Sequence, residues 1–194
     1  MSNDLLVGWA LGLVTSLLTA LLLFWLEGKR EVRSEQRILR RENVRTALNW
    51  KSGDPMSMRG FDLQGVNLSG HNLSGADLEG ANLESAGLWG TKLGGSNLRR
   101  ASFRKADIRG VNFGNAILHA ADFTGAVIRE ANFSHASLRS AKFNQAKEIT
   151  GCTWEGAKID ETTDLPPSIR ELITQGASAV VDVPKESDGT DAKT

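Results

Sequence analysis

The chain has 194 residues, 23 basic against 23 acidic, with 40% hydrophobic residues, 20 glycines and no tyrosine. That length suits one sizeable domain with an appendage, and the zero net charge argues against nucleic acid as a partner and against an acidic tail protein. The single cysteine, Cys152, excludes an internal disulfide framework.

Residues 5–26, LLVGWALGLVTSLLTALLLFWL, run for 22 positions without a charge. A helix of that length spans ~33 Å, enough to cross a bilayer. Trp9 and Trp25 stand near its ends, where aromatic rings prefer the headgroup level. The uncharged start MSND up to Asp4 and the exit FWLEGKR fit a retained anchor over 1–27 better than a cleaved signal peptide. Lys29, Arg30, Arg33, Arg37, Arg40 and Arg41 follow the span, and only Asp4 precedes it. The positive-inside rule then predicts a single-pass protein of a bacterial-type inner membrane, N-terminus outside and the rest cytoplasmic. Gly8, Gly12, Ser16 and Ala20 lie four apart, a spacing that lets helix backbones approach and suggests self-association.

Residues 28–58 read as a charged juxtamembrane helix and linker. Val32, Ile38, Leu39, Val44 and Leu48 are sparse among Arg and Glu, so the helix is expected to be solvated, with charges three and four apart supporting it. Gly53 and Pro55 punctuate its end.

From Phe61 to Gln145 the chain divides without a gap into 17 pentapeptides. Their central position holds Leu ten times, Phe five times and Ile twice, and the position two before it is Ala in eleven. The residue just before the centre is Asn or Asp in ten, and the fifth is often Gly, as at 65, 70, 75, 80, 90, 95, 110 and 125. Two inward positions spaced two apart are strand-like, and glycine at the fifth permits a sharp corner. A short extended side plus a corner, repeated, closes a coil, and coils stack about 4.8 Å apart.

The units ADLEG, ANLES, ADFTG and ANFSH resemble the pentapeptide repeat family. That resemblance implies an all-β solenoid, a right-handed quadrilateral β-helix, here preceded by the transmembrane and juxtamembrane helices. Four units per coil give a rod of about 20 Å. Phe103, Phe113, Phe123, Phe133 and Phe143 recur every ten residues, so four-sided coils would place them in two facing ladders. The carboxyl half, with these larger side chains, is expected to be the tighter one.

After Gln145 the phase slips, because Ala146 would put Glu148 at a centre, where a charge is costly. The pattern resumes one residue late at Cys152/Trp154 and Ala157/Ile159, which predicts a bulge and a last partial coil, the solenoid spanning 59–161. LPPSIRELITQG suggests a capping segment over 162–177, a short helix after Pro167 with Leu172 and Ile173 covering the open coil edge. Residues 178–194 are polar and expected to be disordered.

No phosphate loop, dinucleotide fingerprint, zinc-protease motif or cysteine pair occurs, so no catalytic, cofactor-binding or metal-binding set is identified. His71 falls at an inward position near the amino end, while His119 and His135 fall on adjacent outward sides, which is no metal-ligand spacing. The three Asn-X-Ser sequons at Asn67, Asn72 and Asn132 are generated by the repeat itself.

Outward residues are where function would reside. Arg99, Arg100, Arg104, Lys105 and Arg109 form a basic belt around three sides, although residues 61–161 balance at 11 basic and 11 acidic. A solvated ring competes there with a phosphate or headgroup site. Trp89 precedes Arg109 and Arg129 by one and two coils on one side, where it could stack on them or anchor a partner. The favoured reading is a non-catalytic, membrane-tethered scaffold offering its β-helix to an unidentified protein partner. Two alternatives stand beside it. One, implied by the resemblance, is a DNA-mimic that binds gyrase, as in quinolone resistance; the other is a purely structural tether that self-associates.

Overall fold

The computed structural model describes residues 3–51, 57–175 and 180–182, the side chains of 3–17, 20, 30 and 180–182 excepted. By its contacts the chain divides into two units, Met1–Glu42 and Asn43–Thr194.

Helix α1 runs unbroken over Asn3–Asn49, so the expected boundary at 27/28 is not a break in structure. Within the first unit, Leu21, Leu22, Leu23, Phe24 and Trp25 are all exposed, Phe24 by 77%. The Lys29 ammonium sits 3.6 Å from the centre of the Trp25 ring, a cation–π contact along one helix face. Among the described residues no helix is long and apolar enough to cross a membrane. Most of the expected span, and all of Gly8, Gly12, Ser16 and Ala20, have side chains outside the described residues.

The second unit is a coil with a repeat of twenty residues. Parallel bridges join Asp62 to Asn82, Asn67 to Gly87, Asn72 to Lys92 and Asp77 to Asn97, and the pattern continues up the stack. With five residues per side, this pairing makes the coil four-sided. We number the sides I to IV by their first central residues, Leu63, Leu68, Leu73 and Leu78. Each bridge is a reciprocal pair of bonds: Leu63 N–H donates to Asn82 O at 2.8 Å, and Asn82 N–H to Phe61 O at 2.8 Å. A tight turn closes each corner, as where Val66 N–H donates to Leu63 O at 3.1 Å.

The third residue of that turn must be left-handed. Every fifth residue from Gly60 to Gln145 has a positive φ, between 53° and 76°. Half of these corners are glycine; the other nine are Ser85, Arg100, Lys105, Asn115, Ala120, Glu130, His135, Ser140 and Gln145. Coil geometry therefore imposes αL on residues that pay a steric penalty there, about 1–2 kcal/mol for an ordinary L-residue.

All seventeen central side chains are buried, Phe143 the least at 4% exposed. The alanines two before them fill the remaining interior, and Thr91 and Ser96 satisfy their hydroxyls on Leu68 O (2.8 Å) and Leu93 O (2.6 Å). The two aromatic ladders form as expected. Phe103, Phe123 and Phe143 stack at centroid distances of 4.9 and 4.7 Å, and Phe113, Phe133 and Trp154 at 5.1 and 4.5 Å. Between ladders the rings meet edge to face, at 5.5 Å for Phe103 and Phe113. His71, at the amino end, is half-buried with Nδ1 3.2 Å from Ser69 O.

Both ends depart from the sequence reading. The last turns of α1 are not solvated: Asn43, Ala47 and Trp50 are buried, and Val44 packs against the same core as Met58 and Leu63. These positions share one helix face at spacings of three and four, and Met58, fully buried, adds a central residue ahead of Phe61.

At the carboxyl end, β1 (Val127–Arg129) pairs in parallel with β2 (Lys147–Thr153), and one extra residue enters between the Val127–Lys147 and Arg129–Thr150 pairs. Glu148, at φ 56°, lies in that bulge, as the phase slip implies. A second insertion was not expected. Ser137 pairs with Lys158 but Lys142 with Asp164, so the offset grows from 21 to 22. Thr163 fills the gap; its hydroxyl accepts from Asp160 N–H at 3.0 Å and lies 3.1 Å from Leu138 O. The coil thus reaches Leu165, which is buried, beyond the expected limit at 161.

Helix α2 (Pro167–Thr174) follows, and its buried residue is Ile169, while Leu172 and Ile173 are only half-buried. Arg170 ties α2 to the last coil, Nη1 donating to Asp160 O at 3.1 Å and Nη2 to Thr163 O. Within the stretch expected to be disordered, Val180–Asp182 instead form β3, antiparallel to β2 with Cys152 opposite Val181.

Candidate interaction surface

The outer surface begins with the residue before each centre. Its Asn or Asp oxygen accepts the N–H two residues on, from Asp62 with Gln64 to Asn132 with Ser134, at 2.8–3.4 Å in all ten cases. This outward N–H has no partner in the coil-to-coil ladder, and a short side chain reaching two residues forward supplies one. The preference for Asn and Asp was visible in sequence; its role follows from the same local rule. Some of these side chains also link coils, with Asn97 Nδ2 donating to Asp77 Oδ1 at 2.9 Å and Thr153 Oγ1 to Asn132 Oδ1 at 2.9 Å.

On side II, Trp89 is 63% exposed. Arg109 does not turn to it: Nε and Nη2 grip the Asp107 carboxylate at 2.7 and 2.6 Å. That bidentate bond is the main reason the Asp107 carboxyl titrates below its ordinary value. Arg129 pairs with Glu148. Among the described residues the cation–π contact is Lys29 with Trp25, and the expected stacking of Trp89 on the arginine column does not form, because carboxylates hold both guanidinium groups.

The belt is divided among sides and largely answered by acids. On side I, Arg104 meets Asp122 at 3.1 Å and Lys105 meets Glu84 at 3.7 Å. Burial pulls Asp122 upward, but bonds from Thr124 and Arg104 leave it below its ordinary value. On side IV, Arg99 Nη1 donates to Asn97 Oδ1 at 3.2 Å, and Arg100 is exposed at its corner.

The outward column of side IV, missed by sequence reasoning, reads Arg59, Glu79, Arg99, His119, Arg139 and Asp160 from one end to the other. Arg59 meets Glu79 at 2.7 Å. His119 Nε2 lies 2.6 Å from Ser137 Oγ. Burial and then the charges of Arg99 and Arg139 push the imidazole below its ordinary value, against Asp160. Asp160 itself is held well below the carboxylate range by the Ser140 N–H and by Thr162 and Thr163. The signal was available: twenty-residue spacing aligns Arg99, His119 and Arg139, but the sequence was read there by adjacency rather than by column.

Cys152 is buried, and burial pushes its thiol up to about 11, which leaves it un-ionised and inert as a nucleophile. Among the described residues no group of three or more His, Cys, Asp or Glu is placed to hold a metal ion.

A parallel coil of five-residue sides with αL corners defines a repeat protein of the β-helical solenoid class. The family profile for pentapeptide repeats matches in eight copies across residues 57–86, 81–119 and 116–147. The chain belongs to the pentapeptide repeat family. No curated protein matches it. Among solved structures it is similar to HetL, a pentapeptide repeat protein involved in heterocyst differentiation regulation from the cyanobacterium Nostoc sp. strain PCC 7120, at 28% identity and a TM-score of 0.44 over 53% of this chain. The chain spans 46% of HetL's own length. A pentapeptide repeat protein from the Arabidopsis thaliana thylakoid lumen is 30% identical over 66% of this chain and 87% of that one, with a TM-score of 0.32. QnrB1, a plasmid-mediated fluoroquinolone resistance protein, is 13% identical over 60% of this chain and 85% of that one, with a TM-score of 0.23. At these scores the superpositions add nothing to what the repeat itself shows.

Proposed function

We propose that the protein is a non-catalytic scaffold that presents a β-helix face to a protein partner from a membrane surface. The observation that carries this reading is Trp89, 63% exposed on a side where the neighbouring arginines are already fixed by Asp107 and Glu148. A large exposed aromatic beside pre-ordered polar groups is the composition of an interface anchor, since its burial releases much apolar area while its neighbours lose little entropy. Residues 5–26, uncharged over their length, support attachment to a lipid bilayer, with the basic residues that follow favouring the cytoplasmic side. The spacing of Gly8, Gly12, Ser16 and Ala20 supports self-association within the bilayer. The gyrase-binding alternative has less support, since Asp77, Glu79, Glu84, Asp107, Asp122 and Glu148 are each paired with an arginine or lysine.

Crosslinking in intact cells tests this, comparing the full chain, Trp89→Ala and a chain lacking residues 1–27. A distinct crosslinked protein lost in Trp89→Ala, together with release of the shortened chain from the membrane fraction, is expected. An identical crosslink pattern for Trp89→Ala would remove the partner face. Retention of the shortened chain in membranes would remove the anchor.

A further inference from the structure

Along the outward column of side IV, Arg59 is answered by Glu79, but the later arginines are not. Arg104, Lys105, Arg109 and Arg129 each meet a carboxylate, whereas Arg99, Arg100 and Arg139 form no ion pair among the described residues. Arg99, His119 and Arg139 occupy the same outward position in three consecutive coils. The stacking is direct: Arg100 N–H donates to His119 O at 2.9 Å, and Ala120 N–H donates to Arg139 O at 2.9 Å. Their backbone positions are therefore separated by the coil rise, about 4.8 Å per step. Burial and then the charges of Arg99 and Arg139 disfavour the imidazolium between them, and an anion bound there would offset the like charge.

The donors suit one kind of anion. Two guanidinium groups and an imidazole approach from three levels, with the Ser137 hydroxyl 2.6 Å from the imidazole. A planar carboxylate is satisfied by one guanidinium, while a tetrahedral oxyanion has acceptor oxygens for donors arriving from several directions. Of the two acids that flank these positions in the column, Glu79 is held by Arg59 at 2.7 Å and by Asn97 Nδ2 at 3.3 Å, and Asp160 is occupied by Ser140 N–H at 3.0 Å, Thr162 N–H at 3.1 Å and the Thr162 hydroxyl at 2.8 Å. Neither forms an ion pair with Arg99 or Arg139 among the described residues. We propose that side IV binds the phosphoryl group of a phosphate ester, with Arg99, His119 and Arg139 as donors and Arg100 at the rim.

The site carries a pH dependence of known sign. The groups facing His119 are Arg99 from the coil before, Arg139 and Ser137 from the coil after, and Asp160 beyond them. Without an anion the arginines disfavour the imidazolium. A bound dianion reverses the local field and favours it. Binding of a dianion that does not itself titrate must then tighten as pH falls through the histidine range.

The probe is inorganic sulfate, a dianion throughout that range, added to the full chain in phosphatidylcholine nanodiscs. The ring resonances of His119 are followed by NMR with pH, and His71 and His135 serve as internal references. Saturating sulfate is expected to make His119 titrate about one pH unit higher, equivalent to about tenfold tighter binding to the protonated form, with His71 and His135 unmoved. Arg99→Gln with Arg139→Gln should abolish the shift while leaving the urea midpoint and the Phe103 and Phe123 ring resonances in place. A His119 titration unchanged by sulfate, equal movement of all three histidines, or a shift that survives in the double variant would overturn the site. Discs containing phosphatidate distinguish the source. Movement of His119 without added sulfate identifies a lipid headgroup, and movement only with the soluble ion identifies a soluble phosphate ester.

Discussion

The amino-terminal and carboxyl-terminal halves of the coil build the same backbone from opposite materials. From Gly60 to Gly95 every corner except Ser85 is glycine, and the centres are all leucine. From Arg100 to Gln145 only Gly110 and Gly125 are glycine at the corners, and the centres carry the five phenylalanines. The first half adopts αL without steric cost but surrenders more chain entropy on folding. The second accepts strain at its corners and offsets it with stacked rings 4.7–5.1 Å apart, whose packing adds to simple area burial. A corner and a centre thus compensate across one coil, and the repeat tolerates departures from glycine where the interior is aromatic.

The largest effect should come from the centres. Phe123→Ala removes a ring stacked on both Phe103 and Phe143 and is expected to cost about 4 kcal/mol, against about 3 kcal/mol for Leu83→Ala in the first half. Urea unfolding of the two variants checks this; equal losses would mean that the larger, stacked ring contributes no more than a leucine.

The outer bonds rank next. Asn132 caps Ser134 N–H at 2.8 Å and also holds Thr153 and Asn112 in the coils after and before it, whereas Asn72 caps Ser74 N–H at 3.2 Å. Asn132→Ala should lose about 1.5 kcal/mol and Asn72→Ala about 0.5 kcal/mol. Hydrogen exchange at the Ser134 and Ser74 amides reports each cap directly.

Corner substitutions should act in opposite directions according to the residue replaced. A Cβ at Gly80, φ 68°, would meet nothing within 4 Å, so Gly80→Ala isolates the backbone penalty and is expected to destabilise by about 1 kcal/mol. Ala120, φ 55°, should gain a few tenths of a kcal/mol when replaced by glycine, since relief of αL strain outweighs the added chain entropy. Thermal midpoints that fall for Ala120→Gly would show that the corner strain is negligible.

What the sequence by itself determined is everything that repeats within five residues. Inward Leu63 or Phe103, a small residue two before it, a corner residue and an Asn or Asp ahead of the centre are decided by short-range sterics and by a side chain's reach to its own backbone. The four sides followed from the family resemblance and are measured by the twenty-residue pairing. Even the first bulge was legible, because Glu148 cannot occupy a centre at low cost.

Only the tertiary structure decided what happens where the repeat stops and what faces outward. Ala47 and Trp50 read as a solvated helix until the first coil supplies the apolar surface they cover, and Thr163 reads as a polar linker residue until Leu138 O is beside it. Ile169, not Leu172, closes the far end because the orientation of α2 is set by Arg170 on the last coil. Several charge partners lie about twenty residues apart, as Arg104 with Asp122 and Lys105 with Glu84, and the alignment of Arg99, His119 and Arg139 likewise comes from the stacking of coils, whereas Arg109 turns from Trp89 to Asp107 two residues away. A periodic chain specifies its interior locally. Its ends and the alignment of its outward columns are specified by contacts between residues far apart in sequence, which no local pattern encodes.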